Sequence, residues 1–149
     1  MNALRFSSCL QLIGFAPDRV REDTVPLYLS PVAAGWPSPA EDYIDQQINL
    51  HELVVRNPPS TFFLRASGDS MLGVGIHSGD LLVVDRSAEA APGRVVIAAL
   101  DGELLVKRLE RRQGRLFLAP ANKDYPAIEI TQREYVHIWG VVSYVLHKL

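Results

Sequence analysis

From Thr61 onward the chain is a series of short runs rich in β-branched and apolar residues, each closed by a turn signal. The runs are Thr61–Ser67, Leu81–Val84, Arg94–Leu100, Glu103–Glu110, Arg115–Ala119 and Val136–Leu146. Valine and isoleucine lose side-chain freedom in a helix and pack well on a pleated surface, so such runs favour strands. Asp101-Gly102 lies between two of them and is a two-residue hairpin signal, because a tight turn needs residues that tolerate positive φ. Gln113-Gly114 marks a second turn. Strands joined by two-residue turns run antiparallel. The expected fold is mainly β: a compact antiparallel barrel or sandwich-like body.

Residues 1–37 read differently. Pro17, Pro26, Pro31 and Pro37 interrupt them, and no helical or strand period is sustained. The region is expected to be an extended arm, 1–37, ahead of a β-rich domain, 38–149. The short apolar stretch Leu10 to Phe15 is a candidate for docking on that body. Ser38-Pro39-Ala40-Glu41 has the form of a helix start, with Ser38 as cap, Pro39 in the first turn and Glu41 closing a capping box. That helix is expected to reach Gln47. Asn49-Leu50-His51-Glu52 repeats the pattern for a second short helix, ended before Pro58-Pro59. Tyr43, Ile44 and Leu53 are expected to face the body.

The chain has 149 residues, enough for one domain and an additional segment. Its hydrophobic content of 48% fits a globular class rather than a disordered one. A formal net charge of −2 gives no global basic field for nucleic acid. The basic stretch Lys107 to Arg112 is broken by Glu110 and ends at a turn, which suits a solvated strand end. Cys9 is the single cysteine, so neither an intramolecular disulfide nor a cysteine metal site can form. This suits a reducing compartment, and the expected localisation is cytoplasmic. No apolar run approaches the length of a membrane span or a secretory signal.

The chemistry centres on Ser70 and Lys107. A serine hydroxyl is a poor nucleophile until a base removes its proton. A lysine is that base only when neutral, and apolar surroundings favour the neutral form. In an extended chain Leu105, Lys107 and Leu109 share one face, which offers such surroundings. A strand lysine that merely snorkels to solvent remains the competing reading. A Ser–His–Asp triad drawn from Ser70, Asp85 and one of His51, His77, His137 or His147 has no spacing in its favour. No two histidines have ligand spacing, so no metal site is expected, and no cofactor. Asp80 and Asp85 also allow a non-enzymatic interaction module, with Asp80 capping a turn in either case.

Three ordered motifs then narrow the field. They are Gly68-Asp69-Ser70-Met71, Gly79-Asp80-Leu81-Leu82-Val83-Val84-Asp85 and Gly102-Glu103-Leu104-Leu105-Val106-Lys107. Together they resemble the nucleophile loop, the following strand and the base strand of the self-cleaving Ser–Lys peptidase family of LexA and UmuD. Upstream, Gly35-Trp36-Pro37-Ser38-Pro39-Ala40-Glu41-Asp42-Tyr43 resembles the segment after that family's scissile glycine. The likeness continues to Trp139-Gly140-Val141-Val142 and covers about residues 30–146.

The resemblance implies a LexA C-terminal-type peptidase fold with Ser70 as nucleophile and Lys107 as base. It implies that backbone N–H groups of Asp69 and Ser70 hold the oxyanion, and that the substrate is the protein's own arm, cut between Ala34 and Gly35. Residues 1–34 show no three-helix period, so sequence-specific DNA binding by a helix-turn-helix is not expected. The short arm is similar to the UmuD branch. That likeness implies a homodimer whose arm is removed after DNA damage, stimulated by a RecA-type recombinase filament on single-stranded DNA. The trimmed dimer would serve a Y-family, UmuC-like translesion polymerase. His77 departs from the branch, standing where the loop is usually small or polar.

Overall fold

In the computed structural model, residues 10–15, 24–28, 34–35 and 44–149 are described. The order of elements is β1 (Leu10–Phe15), β2 (Val25–Tyr28), β3 (Ile44–Ile48), α1 (Leu50–Val54), β4 (Thr61–Ala66), β5 (Leu81–Asp85), β6 (Val95–Leu100), β7 (Glu103–Arg112), β8 (Arg115–Ala119), β9 (Ile128–Glu129) and β10 (Val136–Leu146). Single turns of 3₁₀ helix lie at Pro58–Ser60 and Leu72–Val74.

Eight strands form one sheet in the order β1-β4-β5-β10-β6-β7-β8-β9, every pair antiparallel. β1 and β9 end the sheet without pairing to each other, so the body is sandwich-like and the closed-barrel alternative does not hold. β10 is the hinge of this arrangement. Its first half pairs with β6 and its second half with β5, and its register slips near Gly140 and again between Val142 and Tyr144. Such bulges increase local twist and bend the strand. At Gly140 a Cβ would lie 2.7 Å from Val84 Cγ1 and 2.9 Å from the Asp85 carbonyl oxygen, so the crossing admits only glycine.

Both expected hairpins form. Asp101 and Gly102 have φ of 51° and 81°, and Gln113 and Gly114 have 50° and 77°. Positive φ at both central residues is the turn whose twist matches that of the flanking strands. The register then follows, with Leu100 opposite Glu103 and Arg112 opposite Arg115.

Period-two alternation divides the core. Phe62, Leu64, Leu82, Val84, Ile97, Ala99, Leu104 and Val106 fill one cluster together with Met71 and Ile76 from the loops. Val96, Ala98, Leu109, Leu118 and Val141 form a second one. On β6 the alternation is complete: Ile97 and Ala99 belong to the first cluster, Val96 and Ala98 to the second. A strand apolar on both faces is what a central sheet position requires.

Two expectations need correction. Ile44–Gln47 is not helical but extended, pairing antiparallel with Val25–Tyr28. The capping signal at Ser38–Glu41 is local, whereas the strand is set by a partner nearly twenty positions away, and a tertiary pairing overrides local propensity. Residues 36–43, including Ser38, Pro39 and Tyr43, lie outside the described residues. Leu53 does not face the body; it is 45% exposed, and Val55 is buried in its place. Helix α1 itself starts as expected, with the Asn49 side chain accepting from the Glu52 N–H at 3.2 Å. Leu10–Phe15, in the segment where no period was sustained, adds to the sheet beside β4.

Candidate active site

Ser70 sits in the loop after β4, within a chain of reciprocal backbone bonds. Gly68 turns with φ of 92°, and its N–H donates to Ser78 Oγ at 3.2 Å. The Ser70 carbonyl accepts from the Ala121 N–H at 2.8 Å, and the Ala121 carbonyl accepts from the Gly73 N–H at 2.7 Å. Asn122 Nδ2 donates to the Asp69 carbonyl at 2.9 Å, and the Tyr125 hydroxyl donates to Asp69 Oδ1. The segment after β8 thus clamps the nucleophile loop at four points. Met71 is plain core, buried beneath the loop.

Lys107 comes to this loop from β7. It lies opposite Val96 of β6, which is fully buried, and pairing with β8 begins only one residue later, at Arg108 and Ala119. Directly opposed residues share a face, so the lysine stem runs over apolar surface. Pro120 follows the last residue of β8, and the chain turns away toward the nucleophile loop. Lys107 therefore stands where the sheet opens, with the Ser70 loop beside the gap. Its Nζ and Ser70 Oγ are 2.5 Å apart in a part-buried hydrogen bond.

The N–H groups of Asp69 and Ser70 donate to no acceptor among the described residues. Ala34 and Gly35 stand at an exposed bend.

The triad alternative finds no support in this geometry. Asp85 accepts from the Ser87 N–H at 2.8 Å and from Ser87 Oγ at 2.6 Å, capping its own turn. His77 and His147 flank Asp80 instead, and no histidine hydrogen-bonds Ser70 among the described residues. Asp80 does cap a turn, accepting the His77 N–H at 2.8 Å. Burial alone would raise its pKa, but that bond, a hydrogen bond from His147 and the charge of both imidazoles outweigh it and hold the carboxyl below its ordinary value. A cavity of about 300 Å³ lined by Val54, Arg56, Thr61, Asp85, Ala88 and Arg94 includes neither Ser70 nor Lys107.

An antiparallel β body that brings a serine within hydrogen-bonding distance of a strand lysine has the layout of a serine hydrolase. Comparison with known proteins gives the family. The family model of peptidase S24-like proteins matches residues 26–143, and the chain belongs to that family of serine peptidases. MucA of Salmonella typhimurium is 50% identical over 127 residues, covering 85% of this chain and 86% of its own. SamA of Salmonella typhimurium strain LT2 is 44% identical over 127 residues, at 85% and 88% coverage. A LexA repressor of Shewanella piezotolerans is 34% identical over 139 residues, at 87% and 66%. Within the family the chain is UmuD-like. No helix among the described residues is long and apolar enough to cross a membrane.

Sequence reasoning missed two things. It gave no role to the 120–125 segment, which clamps Asp69 through the Asn122 and Tyr125 side chains and Ser70 through the Ala121 backbone, contacts more than fifty positions apart that no local pattern announces. It also left His77 and His147 unconnected, although both converge on Asp80.

Proposed function

We propose that the protein is a self-cleaving peptidase of the SOS response whose substrate is its own arm. Ser70 Oγ attacks the carbonyl carbon of Ala34 while Lys107 takes the hydroxyl proton. The N–H groups of Asp69 and Ser70 receive the negative charge on the carbonyl oxygen. Lys107 then returns the proton to the leaving amine of Gly35, and water releases the acyl group from Ser70. The arm, 1–37, carries the scissile bond, and the peptidase domain spans 38–149. A RecA-type recombinase filament on single-stranded DNA stimulates the cut by stabilising the docked arm. The trimmed chain acts as a cytoplasmic homodimer and accessory subunit of a Y-family, UmuC-like translesion polymerase in error-prone synthesis.

The observation that carries this reading is the 2.5 Å contact between Ser70 Oγ and a part-buried Lys107 Nζ. The membership in the peptidase S24-like family supports it. The test is incubation of the purified protein at neutral and alkaline pH, with and without filament and ATP, followed by intact mass. The expected result is a product beginning at Gly35 that disappears in Ser70→Ala and in Lys107→Ala. A chain that stays intact under every condition refutes self-cleavage and leaves a non-cleaving interaction module of the same fold.

A further inference from the structure

His77, Asp80 and His147 come from three places in the chain: the loop before β5, the residue preceding β5, and the residue after β10. Their candidate ligand atoms all lie within 4.8 Å of one another. Asp80 is 3% exposed, whereas the two imidazoles are 48% and 42% exposed, so the cluster is a buried carboxylate roofed by two accessible rings. The rings lie 4.5 Å apart between centroids, tilted by 36°, and both turn Nδ1 toward the carboxylate.

We infer that this cluster is a binding site for a divalent transition-metal ion of the zinc class, held by His77 Nδ1, Asp80 and His147 Nδ1. Two imidazoles and a carboxylate with solvent at the fourth position are a zinc donor set. Bonds of about 2.0–2.2 Å in tetrahedral geometry set neighbouring ligand atoms roughly 3.3 Å apart. Here His147 Nδ1 is 2.6 Å from Asp80 Oδ1, and His77 Nδ1 is 3.6 Å from Asp80 Oδ2. The two separations run to different carboxylate oxygens, one shorter and one longer than that distance. The second is also too long to be a hydrogen bond, so hydrogen bonding to Asp80 alone does not account for where the His77 ring lies.

The supporting shell is already present. Asp80 Oδ2 accepts the His77 N–H at 2.8 Å, which fixes the plane of the carboxylate as an outer partner does in metal sites. The Asp80 carbonyl accepts from the Ala66 N–H at 2.8 Å, and the Gly79 N–H donates to the Ala66 carbonyl at 2.7 Å, so the loop is tied to β4. Metal binding needs each imidazole to present Nδ1 without a proton, so protons compete with the ion. The ion would staple the end of β10 to the loop whose Ser78 bonds Gly68, two residues before Ser70.

All three ligands lie after Gly35, so intact and trimmed chains both carry the site, and its test is independent of self-cleavage. Titration of the metal-free protein with zinc chloride by calorimetry should show one ion per chain. Cobalt(II) should give the visible absorption of a four-coordinate site. His77→Ala and His147→Ala, and His147→Gln as a shape-preserving variant, should each weaken binding by more than about tenfold, the lower bound for loss of even an outer-shell partner. His51→Ala and His137→Ala should leave it unchanged, and zinc should raise the melting temperature of the parent but not of the His77 or His147 variants. Absence of uptake by the parent, or full retention of the ion in the His77 and His147 variants, overturns the assignment.

Discussion

Gly73→Ala puts the positioning of the nucleophile to a direct test. A Cβ on Gly73 would lie 2.5 Å from the Ala121 carbonyl oxygen, 3.3 Å from its carbon and 3.4 Å from its Cβ. The closest of these atoms is backbone, so no rotamer change relieves the overlap. The two segments must separate by roughly half an ångström to reach even a tight contact, and repacking of that kind costs about 1–3 kcal/mol. For a chain of this size each kcal/mol lowers the melting temperature by about 2–4 °C. The same displacement reaches the site, because Ala121 holds the Ser70 carbonyl through its N–H at 2.8 Å. Misplacement of a reacting group by about 1 Å can cost on the order of 10²-fold in rate, so half that shift should slow self-cleavage about tenfold. The assay is intact-mass kinetics of arm removal well below the melting temperature, beside thermal unfolding. Gly140→Ala is the control: its Cβ also meets backbone, at the Asp85 carbonyl oxygen, but in strands with no hydrogen bond to the nucleophile loop among the described residues. It should lose comparable stability and keep most of its rate. If Gly73→Ala is destabilised yet cleaves within twofold of the parent, the clamp from Ala121 does not position Ser70.

Unassisted cleavage should accelerate from neutral to alkaline pH, because the neutral fraction of an amine base grows about tenfold per pH unit below its pKa; a flat rate refutes Lys107 as the base. Asn122→Ala removes the 2.9 Å bond to the Asp69 carbonyl at an exposed position, so stability should change by less than about 1.5 kcal/mol while cleavage slows severalfold. Equal rates would show that Asp69 is held without it. Gly102→Ala forces a side chain into φ of 81° and should cost about 1–2 kcal/mol in denaturant unfolding, with no change in cleavage rate once folded. Leu64→Ala, at a site with no solvent exposure in the first core cluster, should cost about 2–5 kcal/mol by the same measurement.

The strands from Thr61 onward were readable because their information is local. β8 and β10 match the apolar runs at both ends, and the Asp101-Gly102 and Gln113-Gly114 turns fix the registers on either side. Two-residue β9 carries too short a pattern to be seen. β2 and β3 were missed because neither is amphipathic enough to announce itself, and Pro26 argues against a strand except in an edge ribbon of the kind they form. Of the site, Ser70 and Lys107 were legible through motif order. The Asp80 cluster was not, since His77 and His147 are 70 positions apart and meet only because β10 folds back along β5. Conversely, Asp85 looked chemically available and is occupied by Ser87.

The arm is woven into the body rather than appended to it. β1 is the outermost strand beside β4, and β2 is the partner of β3, yet both precede Gly35 while β3 and β4 follow it. A cut between Ala34 and Gly35 therefore does more than shorten the chain. Departure of the freed arm would leave two lengths of ladder, Ile44–Ile48 and Thr61–Ala66, each with one row of backbone donors and acceptors newly open. An open row of this kind is satisfied by water, by another copy, or by an extended segment of a different protein. In this architecture loss of the arm would convert two sealed margins into adhesive ones.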